Sequence, residues 1–283
     1  MKPILLLLPL LIACKEPPKS TPRVQDLTRM VPREAGWQLM EGRVSFSENL
    51  VVLGRGVTLL KSFEAGISGV RQHGTSDDHT TIVDTFQKAA IEKPFKMNRI
   101  GSYLKGLRLS VDTFNPAGVV NVVSASGEDP HIMNRLFIPL WRFLHTLPPA
   151  SGPQRPKIVT GFSWTTRETV TRRVQGRAIP VYRKNTYTIK SISHTGQLHF
   201  AVITGQSFSS SQKAITMGPF TVEIIGRGTM EAEFSLDRGV FTHIKGREIL
   251  GWAGTYQKTP TEKPVTTGYR QELTVDIHLT ENP

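Results

Sequence analysis

The sequence predicts a β-dominated α+β fold: one large, curved, half-barrel-like antiparallel sheet packed on at least one α-helix. Three observations carry this. Apolar and polar residues alternate with period two through most of the chain after residue 35, glycine-bearing turns separate paired β-rich runs, and a single long stretch has helical periodicity.

The first hairpin is GLRLSVDTFNPAGVVNVVS (106–124), with Asn115-Pro116-Ala117-Gly118 as its turn. A second, YTIKSISHTGQLHFAVIT (187–204), turns at His194-Thr195-Gly196. The third, TMEAEFSLDRGVFTHIKG (229–246), turns at Asp237-Arg238-Gly239 and puts Met230, Ala232, Phe234 and Leu236 on one face. In the last strand, Leu273, Val275, Ile277 and Leu279 share a face, while Arg270, Glu272, Thr274, Asp276 and His278 share the other. One-sided strands of this kind belong to an antiparallel sheet with one buried face.

The helix is expected at about 130–145, with Asp129 as N-cap, Pro130 at the first helical position, Ile132, Leu136, Leu140, Phe143 and Leu144 on one stripe, and Pro148-Pro149 as the stop. Pro139 is expected to kink it. TTIVDTFQKAAIEK (80–93) fits helix or strand equally well. The glycine pairs of GRG at 54–56 and 226–228 lack the Lys-Ser/Thr of a phosphate loop and read as strand bulges or bends.

The chain divides into a signal peptide (1–13), a lipidated N-terminus and flexible tether (14–34), a β-rich first half (35–148), a linker (149–157) and an antiparallel second half (158–283). Residues 4–13 form an apolar run too short to span a bilayer, which takes roughly 20 residues, but suited to export. The halves also read as an internal duplication. Trp37 precedes one Gly-Val hairpin and Trp164 precedes the other, although hairpins in any large β domain can coincide this way.

Cys14 is the only cysteine of the 283 residues, so an intramolecular disulfide is excluded, and if Cys14 is lipidated no free thiol is expected for a thiolate metal site or a cysteine nucleophile. Leu11-Ile12-Ala13-Cys14 resembles the lipobox of bacterial lipoproteins, with an aliphatic residue, a small residue and then cysteine. The resemblance implies diacylglyceryl attachment to the Cys14 sulfur, cleavage before it, acylation of the new amino terminus and anchoring in the cell envelope. Lys15 in place of aspartate points to the outer membrane. Two or three acyl chains hold stably where one would not.

Farther on, Phe114 with Gly118-Val119, then Leu147-Pro148, Ile158-Val159, Gly161 and Trp164 follow a pattern of hairpin, helix and tryptophan strand. GRGTMEAEFSLDRGVFTHIKG adds a second hairpin of the same type. Over roughly residues 36–280 the chain resembles an uncharacterised family of secreted β-rich bacterial lipoproteins. The resemblance implies a curved antiparallel sheet enclosing a helix, as in lipid-carrier half-barrels, and supplies no catalytic residues.

The candidate chemistry is sparse. HGTSDDHT (73–80) gathers His73, Asp77, Asp78 and His79 but reads as a solvated loop, and His131, His145, His194 and His199 lack metal-ligand spacing and read as surface or capping residues. No G-x-S-x-G elbow is present. Neither a metal site nor a cofactor is expected, nor is enzymatic activity.

The net charge of +12 is partly concentrated in residues 165–190, where Arg167, Arg172, Arg173, Arg177, Arg183 and Lys184 are interleaved with Tyr182 and Tyr187. This is the candidate patch for an anionic ligand, against the alternative of a charged, edge-protecting hairpin face. Outside the inner membrane the fitting partners are anionic lipid, acidic glycan or an envelope protein, and no nucleic acid is expected. The expected function is a non-enzymatic binding or carrier module for an apolar or anionic envelope ligand. The alternative is a structural lipoprotein docking on envelope components through its basic surface.

Overall fold

A computed structural model describes residues 36–52, 56–76, 79–96, 104–112, 121–124, 137–148, 158–174, 177–196, 198–217, 220–256 and 265–281. Cys14, the tether, the Asn115–Gly118 turn, Asp129 to Leu136 and the 149–157 linker lie outside the described residues.

One antiparallel sheet holds β1 (Gly36–Val52), β2 (Gly56–Ser76), β3 (His79–Ile91), β4 (Arg108–Asp112), β5 (Asn121–Ser124), β6 (Ser163–Val174), β7 (Arg177–Thr195), β8 (Leu198–Ser210), β9 (Ile215–Met217), β10 (Phe220–Ser235), β11 (Val240–Tyr256) and β12 (Val265–Glu281). The spatial order is β5-β4-β3-β2-β1-β12-β11-β10-β8-β7-β6, with β9 on β10. β5 and β6 end this order without pairing to each other, so the sheet is not closed. Each half runs as successive hairpins, and the first and last strands meet in the middle, from Gln38↔Glu281 to Val52↔Thr267.

TTIVDTFQKAAIEK resolves as strand β3. The three expected hairpins correspond to β4–β5, β7–β8 and β10–β11. Gly196 (φ 64°) and Gly239 (φ 70°) take the left-handed conformation at two of their turns, where a Cβ would be strained. The second GRG reading is corrected: Gly226 and Gly228 sit in regular β10 register, whose irregularity falls at Glu233/Phe234. Of the first, Gly54 and Arg55 lie outside the described residues, and Gly56 (φ 105°) opens β2 just past the β1–β2 connection.

The single helix among the described secondary-structure elements, α1 (Ile138–His145), lies on the inner face of the sheet. Pro139 sits in the first turn of the described helix, and the preceding segment against which a kink would be measured lies outside the described residues. A first-turn proline gives up an N–H that has no intrahelical partner in any case, so it costs little there. Leu140, Trp141, Phe143, Leu144 and His145 are all buried. They rest on a floor lined with glycine. A Cβ on Gly246 of β11 would lie 2.3 Å from Leu144 Cδ2, and one on Gly205 of β8 would lie 3.1 Å from Phe143 Cζ. The helix can approach this closely because those positions carry no side chain.

The curvature follows from the contacts. Six strand steps separate β2 from β7, about 29 Å if laid flat at ~4.8 Å per step. Yet His145 touches Arg71 of β2 while Phe143, two residues earlier, touches Arg183 of β7. Only a sheet curled around the helix allows both. The two tryptophans of the apparent duplication occupy unlike positions: Trp37 is 56% exposed on the outer face, and Trp164 is buried. No helix among the described residues is long and apolar enough to cross a membrane.

Candidate binding surfaces

The inner face is where an apolar ligand would lie, and α1 occupies it. Besides apolar packing, two buried ionic clusters hold the helix. Arg71 (β2) donates through Nε to Asp84 Oδ1 (β3, 2.7 Å) and through Nη2 to Asp84 Oδ2 (3.1 Å), with both side chains fully buried. Trp141 Nε1 donates to Asp84 Oδ2 at 2.9 Å. His145 lies 2.7 Å through Nδ1 from the Trp141 carbonyl, which fixes the proton on Nδ1, and Nε2 accepts from Arg71. Burial first, then the Arg71 charge, push the His145 pKa down to about 3, against a partial pull from Asp84 and the Trp141 carbonyl. The imidazole is therefore neutral.

His73 sits beside this cluster. Its Nε2 donates to Gln38 Oε1 at 2.8 Å, and Gln38 Nε2 donates to the Phe241 carbonyl at 2.9 Å. Burial, then Arg71, lower its pKa to about 4. His73 and His145 are thus interior groups, not the surface residues the sequence suggested. A histidine in a polar-looking run reads as solvated until the strand's phase is known, and β2 alternation turns His73 inward.

Across the helix, Arg183 (β7) is also buried. It pairs with Glu248 (β11) at 3.0 Å and Glu168 (β6) at 3.6 Å, donates to Ser207 and Asn185, and lies 5.4 Å over the Phe143 ring. Arg142 of α1 bonds Glu168. Arg183 therefore does not belong to a surface patch, since two carboxylates hold it inside.

The outer face keeps part of the expected patch. Arg167 (β6) and Lys184 (β7) are direct cross-strand partners, and Lys184 is the partner of Phe208 (β8). In the next row Thr169, Tyr182 and Ser210 are aligned. These residues line a groove of about 490 Å³, with Phe208 50% and Tyr182 44% exposed. No carboxylate among the described residues pairs with Arg167 or Lys184, although like charges directly opposite destabilise a sheet. Arg172, Arg173 and Arg177 lie on β6 and β7 next to their shared turn, but their side chains are outside the described set.

A third constellation was missed by sequence reasoning. His243 (β11) and His278 (β12) are cross-strand partners with stacked rings, centroids 4.3 Å apart, and Asp276 shares their face. His243 Nε2 lies 2.7 Å and His278 Nε2 4.0 Å from Asp276 Oδ1, and Lys245 Nζ lies 3.7 Å from Oδ2. Partial burial raises the Asp276 pKa, but the bond from His243 and the charges of His243, Lys245 and His278 outweigh it, so the net shift is downward. Strand phase had put Asp276 and His278 on one face. His243 joins them only through the β11–β12 register, which the sequence does not state.

No protein-family model matches the chain, and neither does any curated protein. Among solved structures, OccK2 (OpdF) of Pseudomonas aeruginosa aligns over 88% of this chain and 98% of its own at 8% identity, with a TM-score of 0.19. A BenF-like porin of Pseudomonas fluorescens Pf-5 aligns over 89% of this chain and 100% of its own at 6% identity, also with a TM-score of 0.19. Likenesses at this level carry no inference about fold or function.

Proposed function

We propose that the protein is a non-enzymatic binding module of the cell envelope, anchored by lipid on Cys14, that takes an anionic ligand on its outer face at the β6–β8 groove. The observation that carries this is the Arg167–Lys184 pair: two cations directly opposite each other, without a described carboxylate partner, beside the exposed rings of Phe208 and Tyr182. An anion bridging the two would relieve their repulsion, and the rings offer a face to a sugar or acyl segment attached to it. Carriage of an acyl chain on the inner face gains no support from a surface already filled by α1.

The test is co-sedimentation of the protein with acidic liposomes and, separately, with purified sacculi. Arg167→Glu with Lys184→Glu should weaken binding to at least one of them, and Tyr182→Ala should weaken the same one. Binding of the charge-reversed protein at wild-type level to both materials would refute the assignment.

A further inference from the structure

We propose that the outer face of β11 and β12 is a binding site for a zinc-class divalent cation, held by His243 Nε2, His278 Nε2 and Asp276 Oδ1. The ligand atoms of these three side chains lie within 4.8 Å of one another. Around a tetrahedral zinc with bonds of about 2.0–2.1 Å, neighbouring ligand atoms sit ~3.3 Å apart. The separations of 2.7 and 4.0 Å from Asp276 Oδ1 bracket that value, and turning the two rings out of their parallel stack aims both Nε2 lone pairs at one ion. The donor set, two imidazoles and one carboxylate, suits zinc and its neighbours rather than calcium or magnesium, which prefer oxygen.

Two features of the sheet support the site. Lys245 Nζ approaches Asp276 at Oδ2, which orients the carboxylate and leaves Oδ1 toward the histidines. The register also places Glu41 of β1 directly across from His278 on its other side. Glu41, His278 and His243 thus form one row over three adjacent strands, and a water completes the coordination. The site is solvent-accessible, with the His278 side chain 68% exposed, so a cation can enter without the fold opening. It lies on different strands from the β6–β8 groove, and its test is independent of that proposal.

The experiment is calorimetric titration of the metal-free, full-length protein in detergent with Zn²⁺, together with visible absorption of the Co²⁺ form. One equivalent should bind, with the intense bands of four-coordinate cobalt. His243→Ala, His278→Ala and Asp276→Asn should each weaken binding by about tenfold or more. These outer-face changes should leave the metal-free melting temperature near wild type. The proposal is overturned by absence of saturable binding, by affinity unchanged in all three variants, or by loss that instead follows His194→Ala and His199→Ala, a second histidine pair whose rings meet edge to face.

Discussion

Replacing Asp84 with alanine tests the idea that an ionic cluster pins the helix inside the sheet. The substitution leaves the Arg71 guanidinium fully buried, without the bonds at 2.7 and 3.1 Å that neutralise it, and also removes the acceptor of Trp141 Nε1. Breaking a buried ion pair from one side costs about 3–5 kcal/mol. For a domain of this size that corresponds to a melting temperature lower by roughly 6–20 °C, at about 2–4 °C per kcal/mol. Urea unfolding at pH 7, followed by circular dichroism, measures the loss. Hydrogen exchange should show the amides of 140–145 losing protection, because the helix is the element released. Arg71→Met combined with Asp84→Leu removes both charges and should be closer to wild type than either single change. A loss under about 1 kcal/mol for Asp84→Ala, or a double variant as costly as the sum of the singles, would refute the argument.

The interior histidines make stability fall in acid. His145 and His73 have folded-state pKa values of about 3 and about 4, below the ordinary 6.5, so the unfolded chain binds protons that the folded one refuses. Stability is complete above pH 6.5 and falls by about 1.4 kcal/mol per pH unit for each histidine below it, or roughly 2 kcal/mol each by pH 5. His145→Gln should reduce the pH dependence of the urea midpoint by about half, and an unchanged profile would contradict the neutral, buried imidazole. Gly246→Ala, whose Cβ would meet Leu144 at 2.3 Å, should cost about 1–3 kcal/mol in the same assay. Cys14→Ser should abolish labelling by a palmitate analogue in cells, and persistent labelling would remove the proposed anchor.

Strand phase was readable wherever alternation was long. Met230 to Leu236 and Leu273 to Leu279 face inward as their spacing requires. The described helix was legible from Leu140, Phe143 and Leu144. What local sequence cannot carry is pairing. Arg183 reads as a surface cation in a basic run until the order β7-β8-β10-β11 and the curl of the sheet bring it within 3.0 Å of Glu248 on β11. His73 and His145 read as isolated polar residues until Gln38 and Arg71 reach them. The His243–Asp276–His278 group depends on a register between segments 33 residues apart, and alternation within either strand cannot supply it.

The meeting of the first and last strands also decides how the molecule bears force. β1 runs through the middle of the sheet, bonded to β12 from Gln38 to Val52 on one side and to β2 from Gly36 to Val52 on the other. Tension entering at Gly36 along the strand axis loads both rows of backbone hydrogen bonds in shear, all at once. An edge strand such as β6, bonded on one side only, would load a single row. A domain tugged from the chain ahead of β1, while held elsewhere by a partner, is therefore gripped at its mechanically strongest strand, and it gives way only after its two halves part along their common seam.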